Sequence, residues 1–247
     1  MRLTSLRDLD IAILAGGLGR RLAHVMPDIP KILAPVGNST FLDYLLEWLA
    51  GQGAAHVVLC LGHLASAVQE HLAVSRTYGL DISVTVEPRP LGTAGAVAFA
   101  YPLLKSDPVM VMNGDTFVDV DLVQFLQAHN KSDATASVLC AWVERAGRYG
   151  RVDIDEHDRV RRFVEKDGSA EPSWISAGVY LFGRPILQQV ERCGGGSLEH
   201  DVLQVLPPRT IRAFKTNGPF LDIGTPEALA RAPKLFALLR NLGTDSI

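Results

Sequence analysis

The stretch Ile11–Lys31, IAILAGGLGRRLAHVMPDIPK, decides the fold class of this chain. Ile11, Ala12, Ile13, Leu14 and Ala15 make a short, continuously apolar run, the composition of a strand covered on both faces. Gly16, Gly17 and Gly19 follow at once and remove side chains where the backbone turns sharply or approaches a bound group. Successive backbone N–H groups in such a turn make a concavity for anions, to which a helix terminus adds. Arg20, Arg21 and, farther on, Lys31 bring positive charge to the same neighbourhood. Strand, glycine turn and cations together suggest a site for a polyphosphate.

Outward from this stretch, strand-like and helix-like segments alternate. Asn38, Ser39 and Thr40 offer capping groups before FLDYLLEWLAGQG, in which Leu42, Leu45, Leu46 and Leu49 share one helical face and Gly51 or Gly53 ends the helix. Val57–Leu61, Ile82–Val86 and Val109–Met112 read as further strands, and residues 66–73 and 93–104 as helices. Helices between apolar strands imply crossovers, hence a mostly parallel sheet covered on both sides. After about residue 133 the segments ATASVLCAW, GRVDID and RVRRFVEK alternate more, which points to an antiparallel portion. Pro226–Leu239 reads as one closing helix with a proline in its first turn. No repeat or low-complexity linker divides the chain. The expectation is a single domain over 1–247, with a nucleotide-binding part over about 10–132 and a sugar-binding part over about 133–225.

Composition narrows the function classes. The 247 residues, 47% hydrophobic and 21% charged, suit an ordinary globular protein. A formal net charge of -3 gives no reason to expect nucleic acid as a partner, and the run Arg159–Arg162 reads as a solvated strand face. Cys60, Cys140 and Cys193 are widely spaced, and the first two lie in apolar runs expected to be core. MRLTSLRDLD has no apolar signal core and no run is long enough to span a bilayer, so no membrane partner and a cytoplasmic location are expected. The seven histidines show no metal-ligand spacing. Neither a GxGxxG fingerprint nor a Walker A motif is present, which argues against routine NAD binding or P-loop hydrolysis.

Three further patches carry candidate chemistry. Glu87-Pro-Arg-Pro-Leu-Gly-Thr-Ala-Gly95 joins a strand to a helix, where ligands bind in open α/β sheets, although a rigid turn has the same composition. Asn113-Gly114-Asp115 ends a buried strand, and a carboxylate there needs a partner, a metal or a helix to cap. Phe220–Pro226 holds Asp222 between apolar residues before a helix, and two such aspartates suit one Mg²⁺.

Taken in order, LAGGLGRRL (14–22), PDIPK (27–31), EPRPLGTAGAV (87–97), NGD (113–115), FVEK (163–166), SAGVYLF (176–182) and LDIGTP (221–226) resemble the sugar-1-phosphate nucleotidyltransferases over roughly residues 10–235. Within that family the chain is most similar to the small D-glycero-α-D-manno-heptose 1-phosphate guanylyltransferases. Mannose-1-phosphate guanylyltransferases and N-acetylmuramate-1-phosphate uridylyltransferases are competing readings, and a non-catalytic nucleotide-sugar-binding regulator is a different class of answer. The resemblance implies a Rossmann-like α/β nucleotidyltransferase fold, with a mostly parallel mixed sheet flanked by helices. It also implies a Mg²⁺-dependent reaction between a nucleoside triphosphate and a sugar 1-phosphate.

On this chain the resemblance assigns nucleotide contacts to Leu14, Ala15, Gly16, Gly17, Gly19, Arg20, Arg21, Lys31, Glu87, Pro90, Gly92, Thr93, Asn113 and Gly114. It assigns catalysis to Arg21, Lys31 and Asp115, and the metal to Asp115 and Asp222. The sugar phosphate falls to Gly150, Glu165, Lys166, Ser176, Ala177 and Gly178. Two positions depart from the family pattern: Arg20 stands where Thr is usual and Ser176 where Asn is common. Glu87 lies near the base in this family, and a carboxylate accepts from the N1 and N2 edge of guanine, which favours GTP. Self-association into a homo-oligomer is compatible with the sequence.

Overall fold

The computed structural model describes residues 3–17, 19, 22, 24–164, 168, 171–207 and 209–244, with side chains through residue 239. In chain order the first half contains β1 (Asp10–Leu14), β2 (Pro35–Val36), β3 (Ser39–Thr40), α1 (Phe41–Gly51), β4 (His56–Leu61), α2 (Ala65–Val74), β5 (Asp81–Val86), α3 (Gly92–Ala100), β6 (Val109–Asn113), β7 (Thr116–Val118) and α4 (Leu122–Lys131). The second half adds β8 (Ala136–Val143), β9 (Arg151–Ile154), β10 (Val160–Val164), β11 (Ser173–Phe182), α5 (Arg184–Cys193), β12 (Ile211–Thr216), β13 (Phe220–Asp222), α6 (Pro226–Leu229) and α7 (Ala232–Thr244).

Among the described residues nine strands share one sheet, ordered β10-β9-β11-β6-β1-β4-β5, with β8 paired to β11 and β12 paired to β8. The stretch that opened the sequence is the middle of this sheet: β1 lies parallel to both β4 and β6. The switch to antiparallel pairing comes where the sequence pattern changes, with β11 running against β6, β8 and β9. Only the outer β12 returns to parallel, alongside β8.

Alternation along the strands divides the core in two. Ile11 and Ile13 of β1 face a layer built from α1, α4 and α7, while Ala12 faces a second layer built from α3 and α5. The leucine stripe of α1 is wholly buried in the first layer. Its entry is a capping box: the Thr40 hydroxyl accepts from the Asp43 N–H at 3.3 Å, and the Asp43 carboxylate accepts from the Thr40 N–H at 2.8 Å. That carboxylate also meets Nε2 of His71 on α2 at 2.8 Å. Burial pushes the Asp43 pKa up, but the Thr40 and His71 hydrogen bonds outweigh it and hold the group below the usual carboxylate value.

Two sequence expectations need correction. The closing segment is two helices, α6 and α7, because in one unbroken helix Pro233 would have no N–H for the carbonyl of Leu229 and its ring would crowd that carbonyl. Phe236 of α7 then stacks on Tyr44, with ring centroids 4.3 Å apart. Residues 93–104 also divide: α3 stops at Ala100, and Tyr101–Leu103 tightens into a 3₁₀ turn around Pro102. Cys60 and Cys140 are buried as expected. Burial raises both thiols, Cys60 to about 12, so neither is a ready nucleophile. All three arginines are ion-paired: Arg161 with Glu156 and Arg162 with Asp153 on the solvated face, and the largely covered Arg159 with Asp133. Among the described residues no helix is long and apolar enough to cross a membrane.

Candidate active site

The carboxyl ends of β1, β5 and β6 open into a cavity of about 550 Å³. Its floor is the first motif: Leu14, Ala15, Gly16, Gly17 and Gly19, carried out of the sheet by β1. Ala15 N–H bonds the Cys60 carbonyl at 2.9 Å and Gly114 N–H bonds the Leu14 carbonyl at 2.9 Å, so neighbouring strands hold the turn at its base. Lys31 enters from a 3₁₀ turn that starts after Pro30. Glu87, Pro90, Gly92 and Thr93 form one wall, and Asn113, Gly114 and Asp115 another. Thirteen predicted nucleotide or catalytic positions thus converge on one space. Ile32, Ala96 and Gly224 line it too and were not singled out in the sequence. Ile32 directly follows PDIPK, while Gly224 lies inside LDIGTP and Ala96 inside EPRPLGTAGAV, one helical turn beyond Gly92.

Charge is concentrated at one corner. Lys31 Nζ lies 2.5 Å from Asp115 Oδ2 and 3.6 Å from Asp222 Oδ1, so two carboxylates distant in sequence meet on one ammonium. Asp222 is brought there by β13, which pairs antiparallel with β7 directly after Asp115. Ile223 N–H bonds the Asp115 carbonyl at 3.0 Å, and Gly224 N–H bonds Asp222 Oδ1 at 2.7 Å, locking the two aspartate segments together. Two hard carboxylate oxygens focused on a cation are the donor chemistry that suits Mg²⁺. On the opposite wall Glu87 Oε2 accepts from Leu91 N–H at 3.2 Å, which fixes the carboxylate against the loop it begins.

That loop is clamped from outside by the segment after α5. Gly196 N–H bonds the Leu91 carbonyl at 2.8 Å, Ala94 N–H bonds the Gly196 carbonyl at 2.9 Å, and Leu198 N–H bonds Thr93 Oγ1 at 2.8 Å. Gly92 permits the docking. Its φ is +77°, and a Cβ there would stand 2.3 Å from the Gly196 carbonyl oxygen.

Of the predicted sugar-side residues, Gly150, Ser176, Ala177 and Gly178 are described, and none of them is in the lining of this cavity. Ser176, Ala177 and Gly178 lie in mid-β11, where the register with β8 shifts between Ser176 and Tyr180. Gly178 has φ +73° and presses on Asn113, whose Nδ2 would be 2.3 Å from an added Cβ. Ala177 is buried, and its carbonyl accepts from the Thr116 hydroxyl at 3.1 Å. Ser176 N–H bonds the Gly150 carbonyl at 3.1 Å, and Ser176 Oγ is 2.9 Å from the Tyr180 hydroxyl. Tyr180 in turn donates to Glu199 Oε1 at 2.7 Å. Burial, reinforced by the Glu199 charge, raises the Tyr180 pKa well above its usual value and keeps it a donor. Glu199, in the one-turn π-helix Leu198–Leu203, was not anticipated. Arg20, Arg21, Glu165 and Lys166 lie outside the described residues.

Comparison with known proteins supplies a frame for this geometry. Residues 11–237 match the family model described as nucleotidyl transferase. The chain is 32% identical to a D-glycero-alpha-D-manno-heptose 1-phosphate guanylyltransferase of Aneurinibacillus thermoaerophilus, over 92% of this chain and 97% of that protein. It is 32% identical to a mannose-1-phosphate guanylyltransferase of Mycobacterium tuberculosis, over 90% of this chain and 63% of the other. Among solved structures, HddC from Yersinia pseudotuberculosis complexed with GMP-PN superposes with a TM-score of 0.83 at 31% identity, covering 92% of this chain and 99% of that one.

Proposed function

The chain belongs to the nucleotidyl transferase family, and from that premise we propose that it transfers a guanylyl group from GTP to D-glycero-α-D-manno-heptose 1-phosphate, giving GDP-heptose and pyrophosphate. The observation that carries the reading is the cavity in which the glycine turn, Glu87, Lys31 and Asp115 meet, with Asp222 drawn to the same Lys31 ammonium. It occurs in a chain that matches a heptose guanylyltransferase over nearly the whole length of both.

The chemistry requires positioning and charge control. An oxygen of the sugar 1-phosphate attacks the α-phosphorus of GTP, and the bond from that phosphorus to the bridging oxygen breaks as pyrophosphate leaves. The substrate supplies the nucleophile, so no activated serine or cysteine is needed, in keeping with the raised thiols of Cys60 and Cys140. Backbone N–H groups of Gly16, Gly17 and Gly19 serve the phosphates, and Lys31 stabilises negative charge developing near the α-phosphate. Asp115 and Asp222 would hold Mg²⁺, which when bound neutralises phosphate charge. Glu87 accepts from the guanine edge, its carboxylate already oriented by Leu91 N–H. The walls bring two anionic reactants together in one orientation, the main source of acceleration open to such a site.

Mannose 1-phosphate is the second reading, favoured by the equal 32% identity to the mycobacterial relative. Pyrophosphate release measured with every pairing of GTP, UTP, CTP, ATP or dTTP with heptose, mannose, glucose or N-acetylated sugar 1-phosphates separates these cases. The heptose–GTP pair is expected to give the highest kcat/KM. A clear preference for another nucleotide overturns the guanylyl assignment, and absence of release from every pair overturns the transferase itself. Glu87→Gln places an amide donor in the guanine contact and is expected to lower kcat/KM for GTP about ten- to a hundredfold.

A further inference from the structure

We propose that Glu199 is the carboxylate that recognises hydroxyl groups of the sugar, a specificity-determining residue resting on the transferase reading above. Its two oxygens have different surroundings. Oε1 is held at 2.7 Å by the buried Tyr180 hydroxyl, which also contacts Ser176. Oε2 points toward Gly150, 3.5 Å from where a Cβ of that residue would stand, and no described side chain or backbone N–H donates to it. Gly150 and Ser176 were predicted as sugar-side positions on other grounds, and the fold gathers both around this carboxylate.

Charge decides which part of the substrate it meets. A carboxylate repels the phosphate and accepts from hydroxyls, so Glu199 faces the sugar ring while the cationic corner at Lys31 takes the phosphates. The segment bearing Glu199 is fastened through Gly196 and Leu198 to the loop that forms one wall of the nucleotide cavity. The sugar contact is thereby referenced to the bound nucleotide. Tyr180 acts through Glu199 and is a positioning residue.

The test is steady-state kinetics with the full chain and its best substrate pair, alongside calorimetric GTP binding and thermal unfolding. Glu199→Gln is expected to raise KM for the sugar 1-phosphate at least tenfold, with KM and Kd for GTP within twofold of wild type. Tyr180→Phe, which keeps the ring and removes the donor, is expected to give the same split at about three- to tenfold. Glu199→Asp keeps the charge but withdraws it by one methylene, and should show the split even if the Gln variant folds poorly. A sugar 1-phosphate lacking the recognised hydroxyl should lose affinity for wild type and not for Glu199→Gln. An unchanged sugar KM in Glu199→Gln, or equal rises in both KM values, overturns the proposal. A wild-type protein that releases no pyrophosphate from any pair overturns the transferase reading instead.

Discussion

Replacing Gly178 by alanine is a sharp test of how β11 is fitted to the nucleotide cavity. At φ +73° an L-residue costs about 1–2 kcal/mol. The new Cβ would also stand 2.3 Å from Asn113 Nδ2, 2.8 Å from its Cγ and 3.1 Å from its Cβ. Relieving that overlap moves Asn113, a wall of the cavity, at an overpacking cost of about 1–3 kcal/mol. The sum is about 2–5 kcal/mol, which in a chain of this size lowers Tm by about 4–20 °C. Circular dichroism melts and calorimetric titration with a GTP analogue read both consequences, since displacement of Asn113 should weaken nucleotide binding as well. The Asn113→Ala background separates the two causes. It removes the Nδ2 and Cγ contacts, so Gly178→Ala should cost about 1–3 kcal/mol less there. A Tm within about 1 °C of wild type would refute the argument. Identical losses in both backgrounds would show that backbone strain alone is responsible.

Two further outcomes follow from the charged groups. Lys31 makes two partly exposed ion contacts, each worth about 0.2–1 kcal/mol, so Lys31→Met should bind Mn²⁺ about two- to thirtyfold more tightly without nucleotide while losing turnover. Electron paramagnetic resonance titration measures this, and unchanged or weaker Mn²⁺ binding would contradict the shared use of Asp115 and Asp222. Asp43 has a folded pKa below its unfolded one, so its contribution to stability is complete above the unfolded pKa and is lost as pH falls through the folded value. Urea unfolding of wild type and Asp43→Asn should therefore differ most near neutral pH and converge from about pH 4 downward. A gap independent of pH would remove the carboxylate from the account.

What could be read in advance was whatever one segment encodes by itself. The apolar run before Gly16 names its own strand, and Thr40 with Asp43 names a helix start, because each signal lies within a few residues. The cavity was legible for the same reason: its walls are loops whose glycines, prolines and carboxylates are conspicuous at strand ends. The break at Pro233 was also present in the sequence but was overridden by the apolar spacing of Leu235, Phe236 and Leu239. Glu199 was hidden for a different reason. Within SLEHD it resembles any surface acid, and its distinction arises only when Tyr180 and Gly150 arrive from other strands. The bulge in β11 was likewise invisible, since Ser176-Ala177-Gly178 carries no local sign that Asn113 will press on the glycine.

The position of β6 in the sheet bears on how this protein can be divided. Its neighbours are β1 on one side and, on the other, the late-arriving β11. A chain cut near residue 132 would retain every strand of the parallel region, yet leave the backbone of β6 as a raw edge in the middle of the missing sheet. The cavity wall would be deprived as well, because Thr93 takes its backbone partner from Leu198, 105 residues later. Such an excised half is expected to self-associate through β6 rather than serve as a portable nucleotide-binding module. Swapping the part after residue 132 between relatives would have to carry β11 and the Gly194–Leu203 segment together.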